Sequence, residues 1–261
     1  MTQIATSLNV SALLDLVREA GQLALSHFKN ITPQRKADNT FVTQADIDIE
    51  QLLVTRLQTL YPNHNVISEE GARVANNNEA PTWAIDPLDG TTAFVHGLPG
   101  WGIAIGLLEQ GRPTFGMFYM PLLDDLTYTT GDAQVINQTH SLQHLIQPNW
   151  NNKRFLAITS SVHRQFKLDV PRMRTMGSVS ANLIYLAKGV AAGAFIPNAH
   201  LWDLVAGTAI IQRSGGFLQY LSGKSIDYQD LLDGKRAPEP IIAAHPDLLP
   251  ELQSSITSTR R

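Results

Sequence analysis

The stretch WAIDPLDGTTAF, residues 83–94, decides the fold. It begins as a short apolar strand, WAI, that is expected to end at Asp86. Asp89 follows three residues later, then Gly90, Thr91 and Thr92. In layered α/β proteins, ligands collect where strands end and the chain leaves the sheet. Pro87 stiffens that exit, and Asp89-Gly90 favours a tight turn. Two carboxylates and the Leu88 carbonyl can then face one point, while Gly90 admits close backbone approach. The N–H groups of Gly90, Thr91 and Thr92, at a turn or helix start, form an anion cradle. A D-x-x-D-G string alone is usually a plain turn. The apolar runs on both sides make this one more specific.

Outward from that stretch, strands and helices alternate. Upstream, residues 8–28 carry apolar side chains at helical spacing, and "FVTQADIDIEQLLVTRLQTLYP" predicts a second helix with Thr43 as N-cap and Asp46 in its first turn. "NVISEEG" is a strand running into Glu69 and Glu70, of which only the first is expected to point inward. "ARVANNNEAPT" is a polar loop, expected to be mobile. Downstream, residues 100–132 predict a β-meander with turns at "EQGRP", "PLLDD" and "TTGD". "RFLAITSS", "AAGAFIP" and "PIIAAH" are strands, and "SVSANLIYLAKG" and "WDLVAGTAIIQRSGG" are helices. The polar connector around residues 138–153 divides residues 1–145 from 146–261, two lobes of one compact unit. Clustered and alternating strands together predict a layered, mixed α/β fold.

Composition narrows the chemistry. The 261 residues are 43% hydrophobic and 16% charged, with a net charge of -3, so nothing marks a nucleic-acid partner. No apolar run approaches a membrane span, the first residues predict an amphipathic helix and not a signal peptide, and a cytoplasmic home is the default. There is no cysteine, which excludes disulfides, thiolate metal sites and cysteine nucleophiles. Several carboxylates converging on one point repel unless a cation joins them. All-oxygen donors select hard ions, Mg²⁺ first and Mn²⁺ as the alternative. Two such ions roughly 4 Å apart can activate a water and stabilise a leaving oxygen.

The string WAIDPLDGTTAFVHG resembles the first signature of the inositol monophosphatase family, metal-dependent and lithium-sensitive phosphatases of small phosphorylated metabolites. "LWDLVAGTAIIQRSGG" resembles the second signature, "ISEEG" the family's acidic strand end, and "KADNTFVTQAD", with Lys36, Thr43 and Asp46, its upstream motif. These motifs keep the family's order from Lys36 to Gly216. The resemblance implies a five-layer αβαβα sandwich of the sugar-phosphatase type and a homodimer. It implies that Glu69, Asp86 and the Leu88 carbonyl hold one metal, that Asp86, Asp89 and Asp203 hold a second, and that Asp46 orients waters of a weaker third. Glu69 and Thr91 would position and deprotonate a water, with Asp89 among the catalytic acids, and the Gly90 and Thr91 N–H groups would hold phosphate. Simpler roles compete. Asp203 suits a helix N-cap, Asp46 the dipole of a first helical turn, Thr91 a helix cap, and His96, His200, Trp83 and Trp202 ordinary packing.

Two positions depart from the family pattern. Ala93 stands where the first signature usually has an asparagine. Ile196 stands where inositol-hydrolysing members place an acid that contacts sugar hydroxyls, and isoleucine accepts no hydrogen bond. Gly177 and Ser178, with Met176, fall where the family places other substrate contacts, and Ser160 and Ser161 face the same cleft in this reading. The predicted activity is a Mg²⁺-dependent phosphomonoesterase for a sugar, polyol or inositol-like monophosphate. Histidinol-phosphate or fructose-bisphosphate hydrolysis is the alternative within the family, and a catalytically silent metal-binding regulator is the alternative outside it. An aspartyl-phosphate mechanism fits less well, because its two acids lie two apart near the N-terminus. A calcium loop fails because Gly97 occupies its twelfth position.

Overall fold

Side-chain alternation along the strand containing Trp83 sets the layering. The computed structural model describes residues 8–259 apart from 31, 37–39, 76, 78, 132–133 and 152. The centre of the upstream motif, part of the polar loop after Glu70 and the first seven residues therefore lie outside the described residues. In chain order the elements are helix α1 (Val10–His27), strands β1 (Gln34–Arg35) and β2 (Phe41–Val42), helix α2 (Gln44–Leu60), strands β3 (Asn65–Ser68), β4 (Arg73–Val74) and β5 (Thr82–Asp89), and helix α3 (Thr91–Val95). Strands β6 (Gly102–Glu109), β7 (Arg112–Met120), β8 (Asp125–Thr129), β9 (Val135–Asn137), β10 (His140–Ser141), β11 (Phe155–Ile158), β12 (Phe166–Leu168) and β13 (Met173–Arg174) follow. Helix α4 (Val179–Ala187), strand β14 (Ala191–Ile196), helix α5 (Leu201–Arg213), strands β15 (Phe217–Tyr220) and β16 (Ile241–Ala244), helix α6 (Leu249–Ser254) and strand β17 (Ile256–Ser258) complete the chain.

One sheet has eight strands in the order β10-β9-β8-β7-β6-β5-β3-β4, and another has five in the order β13-β11-β14-β16-β15. The predicted meander is the antiparallel run β6-β7-β8, which β5 extends on one side and β9 and β10 on the other, while β3 and β5 pair in parallel. Successive strand residues face opposite sides of a sheet. Trp83 and Ile85 of β5, with Ile103, Ile105 and Leu107 of β6, therefore join α1 and α2 in one core. Ala84 and Ala104 turn the other way, toward α4 and α5. The second sheet closes the opposite side of those helices with Ala194, Ile196 and Ile241. Its outer face, including Phe195 and Ile242, packs on Leu249 and Leu252 of α6. The layers are αβαβα, as the resemblance implies.

Helix limits follow local chemistry. Asn9 Oδ1 accepts the Ala12 N–H at 3.1 Å, so α1 starts at Val10. Phe41 and Val42, expected in the second helix, instead pair with Gln34 and Arg35 as a strand, and α2 starts after Thr43. Gly106 and Gly116 lie under α5. A Cβ at Gly106 would sit 2.6 Å from the Ala206 nitrogen, and one at Gly116 2.1 Å from the Ala206 oxygen. Only bare backbone lets this helix approach so closely. Among the described residues no helix is long and apolar enough to cross a membrane.

Candidate active site

Asp86, Asp89 and Asp203 each offer a carboxylate oxygen within 4.8 Å of the other two. Two devices bring them together. Residues three apart on a regular strand face opposite sides of the sheet. Asp86 pairs with Ala104 but Asp89 with Gly102, so an extra residue is accommodated across Pro87 and Leu88. This bulge turns Asp89 back toward Asp86. The strand expected to stop at Asp86 thus continues to Asp89. Pro87, which has no N–H for a ladder, falls at the irregularity, where proline is tolerated. The second device is α5, whose close seat over Gly106 and Gly116 carries Asp203, in its first turn, to the same point.

Backbone N–H groups hold each carboxylate. Leu88 donates to Asp86 Oδ1 at 3.0 Å. Val179 and Ser180, in the first turn of α4, donate to Asp89 Oδ1 at 3.2 Å and Oδ2 at 2.5 Å. The His200 N–H donates to Asp203 Oδ2 at 2.6 Å. His200, not Asp203, is the N-cap of α5, which corrects the N-cap reading; Asp203 is the third helical residue, accepting the His200 N–H while it joins the cluster. Asp89 is fastened to α4 where Gly90, Gly100 and Gly177 meet. A Cβ on Gly177 would lie 2.4 Å from the Gly100 oxygen, and one on Gly90 2.9 Å from Ser178 Cβ.

Uncompensated negative charge marks the cluster. Burial first, then the charges of Glu69, Asp89 and Asp203, pushes the Asp86 carboxyl well above its ordinary range. Burial, then Asp89 and Glu69, does the same for Asp203. Asp89 is also raised by burial, against the opposing bonds from Ser180 and Val179. All-oxygen, short of positive charge, with Asp86 and Asp89 buried and Asp203 partly so, these three residues fit a hard divalent cation.

Glu69 stands outside the close group of aspartates. Lys36 Nζ lies 2.9 Å from Glu69 Oε1 and 2.6 Å from Glu70 Oε1. Both acids face inward, correcting the expectation for Glu70. Its side chain is 5% exposed against 25% for Glu69, because Lys36 and the Glu70 N–H bond to Glu50 hold it under the loop. Burial raises Glu70 to about 7 despite Lys36. Burial opposes the Lys36 charge, but Glu69 and the hydrogen bonds to both glutamates prevail and raise its pKa.

Asp46 is buried in the first turn of α2 and lines neither cavity beside the acids. Its Oδ2 accepts the Thr43 N–H at 2.7 Å and the Thr43 hydroxyl at 2.6 Å. Thr91 Oγ1 lies 3.2 Å from Asp46 Oδ1 and 3.2 Å from the Leu88 oxygen. Asp46 thus caps α2 and orients Thr91. Gly90, at φ +94°, precedes α3, whose first-turn N–H groups have no acceptor within the helix.

Two cavities meet at the acids. The larger, about 750 Å³, is lined by Glu69, Asp86, Asp89, Asp203 and the Gly90–Thr92 turn, and by Ser160, Gly177 and Ser178. Ser161 is not among its lining residues. Ile196 is a correction: it has 0% exposure, lies in the core between the sheets and is absent from the cavity wall. Strand alternation points it inward opposite Ile241. The smaller cavity, about 420 Å³, is lined by Lys36, Asn198, His200, Trp202 and Arg236 besides Glu69 and Asp203. His200 stacks on Trp202 at 4.8 Å, and Arg236 Nε lies 3.4 Å from His200 Nε2. Trp83 is core, as expected. Leu98, Leu123, Tyr185, Asn198 and Arg236 were not legible as site residues. His200 carried a signal in its place beside the Trp202-Asp203 pair.

The site and the five layers define a class of α/β sandwich with an acidic cluster able to hold a metal ion. A model of the inositol monophosphatase family matches residues 9–256, and the chain belongs to that family. It is 28% identical over 260 residues to the Nus factor SuhB of Pasteurella multocida, covering 92% of each chain. It is 29% identical over 248 residues to inositol-1-monophosphatase of Mesorhizobium japonicum, covering 85% of this chain and 89% of the relative. In fold it matches staphylococcal IMPase-I with a TM-score of 0.82 at 18% identity, over 96% of this chain and 95% of the other. A Thermotoga maritima IMPase gives 0.81 at 22% identity, over 94% and 95%.

Proposed function

We propose that the protein is a Mg²⁺-dependent phosphomonoesterase for a small phosphorylated metabolite. The convergence of Asp86, Asp89 and Asp203 beside the Gly90–Thr92 turn carries this reading. In it Asp86, Asp89 and Asp203, with Glu69 and the Leu88 carbonyl, hold Mg²⁺ or Mn²⁺. The ions, when bound, supply Lewis acidity and a more acidic water. The chain supplies the rest. Gly90 and Thr91 N–H groups hold phosphate oxygens. Thr91 Oγ1, braced by Asp46, accepts a hydrogen bond from the attacking water, and Glu69 takes its proton. Lys36, whose Nζ lies 2.9 Å from Glu69 Oε1, fixes the orientation of that carboxylate. The α4 N-terminus keeps Asp89 aimed at the cluster. The products are an alcohol and inorganic phosphate, without a phosphoenzyme.

Residues 1–145 supply most ligands in this proposal, and 146–261 supply Asp203 and the substrate wall. Family membership extends the proposal to a cytoplasmic homodimer inhibited by lithium. The test is phosphate release across sugar, polyol, amino-alcohol and nucleotide phosphates with Mg²⁺. Turnover of at least one ester, lost in Asp89→Asn and Asp203→Asn, is expected. Wild-type-like activity in either variant rejects the metal assignment. A second reading, a member that keeps the fold without turnover, draws on the relatives named Nus factor SuhB. Silence across the whole panel, with Mg²⁺ still bound, selects it.

A further inference from the structure

The two cavities beside the acids differ in chemistry. The smaller is rimmed by Lys36, His200 and Arg236. The larger holds the Gly90–Thr92 turn at its floor, so the alcohol part of a bound ester would extend along its outer wall. That wall carries Phe41, Leu98, Pro99, Leu123, Met176 and Tyr185. Leu98 is 53% exposed and Leu123 45%, so two of the most exposed large apolar side chains among the described residues belong to this one concavity. Bulky apolar groups gathered at a pocket with a polar floor mark a ligand's apolar part.

Polar groups on this side are largely committed to the backbone. Asn182 Oδ1 accepts the Met176 N–H at 3.2 Å, and its Nδ2 donates to the Ile158 oxygen at 3.3 Å. Ser178 Oγ accepts the Ala181 N–H at 3.0 Å. No carboxylate comes from position 196, since Ile196 lies in the core. Further hydroxyls come from Thr40, Thr92, Thr159, Ser160, Thr175 and the Tyr185 phenol, none of them on Leu98, Pro99, Leu123 or Met176. A polyol hydroxyl set against Leu98, Leu123 or Met176 would lose water without gaining a partner there, which is costly.

We propose that the substrate is a phosphate monoester whose alcohol part is an apolar or aromatic body with at most one polar end, held against Leu98, Leu123, Met176 and Tyr185. The proposal rests on the phosphomonoesterase reading of the site. Two phosphonates, which have no ester bond to hydrolyse, test it: 3-phenylpropylphosphonate and 2,3-dihydroxypropylphosphonate. Each is titrated into the full-length protein with Mg²⁺ by calorimetry and as an inhibitor of 4-nitrophenyl phosphate hydrolysis. The phenylpropyl compound should bind about tenfold tighter, the gain expected from burying a phenyl-sized apolar surface. The double variant Leu98→Asn/Leu123→Asn should keep its thermal midpoint and cut that preference about threefold or more. Equal binding, or preference for the dihydroxy compound, overturns the proposal. So does a double variant that keeps the preference while its molar mass in solution changes, because the leucines then serve self-association. Selective calorimetric binding without hydrolysis of any ester rejects the enzyme reading and upholds the apolar pocket. Hydrolysis without selectivity does the reverse.

Discussion

Asp86 is enclosed at the centre of the cluster, where burial first and its acidic neighbours second favour its protonated form. Its folded pKa lies above its unfolded value, and Glu70 behaves likewise, rising to about 7. At low pH both states carry these protons and the shift has no effect on stability. As pH rises past the ordinary carboxylate range, the unfolded chain ionises first and the folded state loses stability until its own groups titrate. The thermal midpoint of chelator-treated protein should therefore fall between about pH 5 and pH 8. Asp86→Asn should flatten that slope, as circular dichroism melts will show. Ile196 gives a second prediction. The family pattern suggests restoring its acid, but a glutamate there would lie unpaired in the core. Ile196→Glu should cost about 3 kcal/mol or more in urea denaturation, without creating activity on inositol phosphates.

At the scale of elements, the site depends on how closely two helices approach the sheet and the adjoining loops. Gly116→Ala would set a methyl against the Ala206 carbonyl at 2.1 Å. The rigid backbone on both sides predicts a loss of about 1–3 kcal/mol by urea denaturation. Mg²⁺ affinity should fall with it, because α5 carries Asp203; unchanged calorimetric binding would separate helix seating from the site. Gly177→Ala combines φ +108° with a contact of 2.4 Å to the Gly100 oxygen. It should draw α4 away from Asp89 and lower kcat more than it raises KM. Several of these elements were legible in advance. Helical spacing and the Thr43 cap marked α2, and the turns after Glu109, Met120 and Thr129 marked the meander. The β5 bulge was not, since its signature is a register against Gly102 and Ala104 that a single strand does not carry.

For the whole molecule, a cation that binds only the folded state stabilises it by mass action. At a hundredfold excess over Kd, Mg²⁺ should add about 2.7 kcal/mol. The thermal midpoint should rise with Mg²⁺ concentration and stay unmoved in a variant carrying both Asp86→Asn and Asp203→Asn. A shift of equal size in that variant would place the ion elsewhere.

Sequence by itself determined the layered α/β class, because residue type and local spacing encode strand and helix period, and its resemblance to the family's signatures implied which acids converge. Tertiary structure alone decided that Glu70 is buried under Lys36, that Asp89 binds the first turn of α4, and that Ile196 faces the core. It also decided which apolar side chains form the cavity wall. Leu98 and Leu123 look like any leucines in the chain, and Met176 and Tyr185 come from distant segments. Their common wall exists only after packing has placed them around one space, a relation between surfaces and not a property of any one stretch of chain.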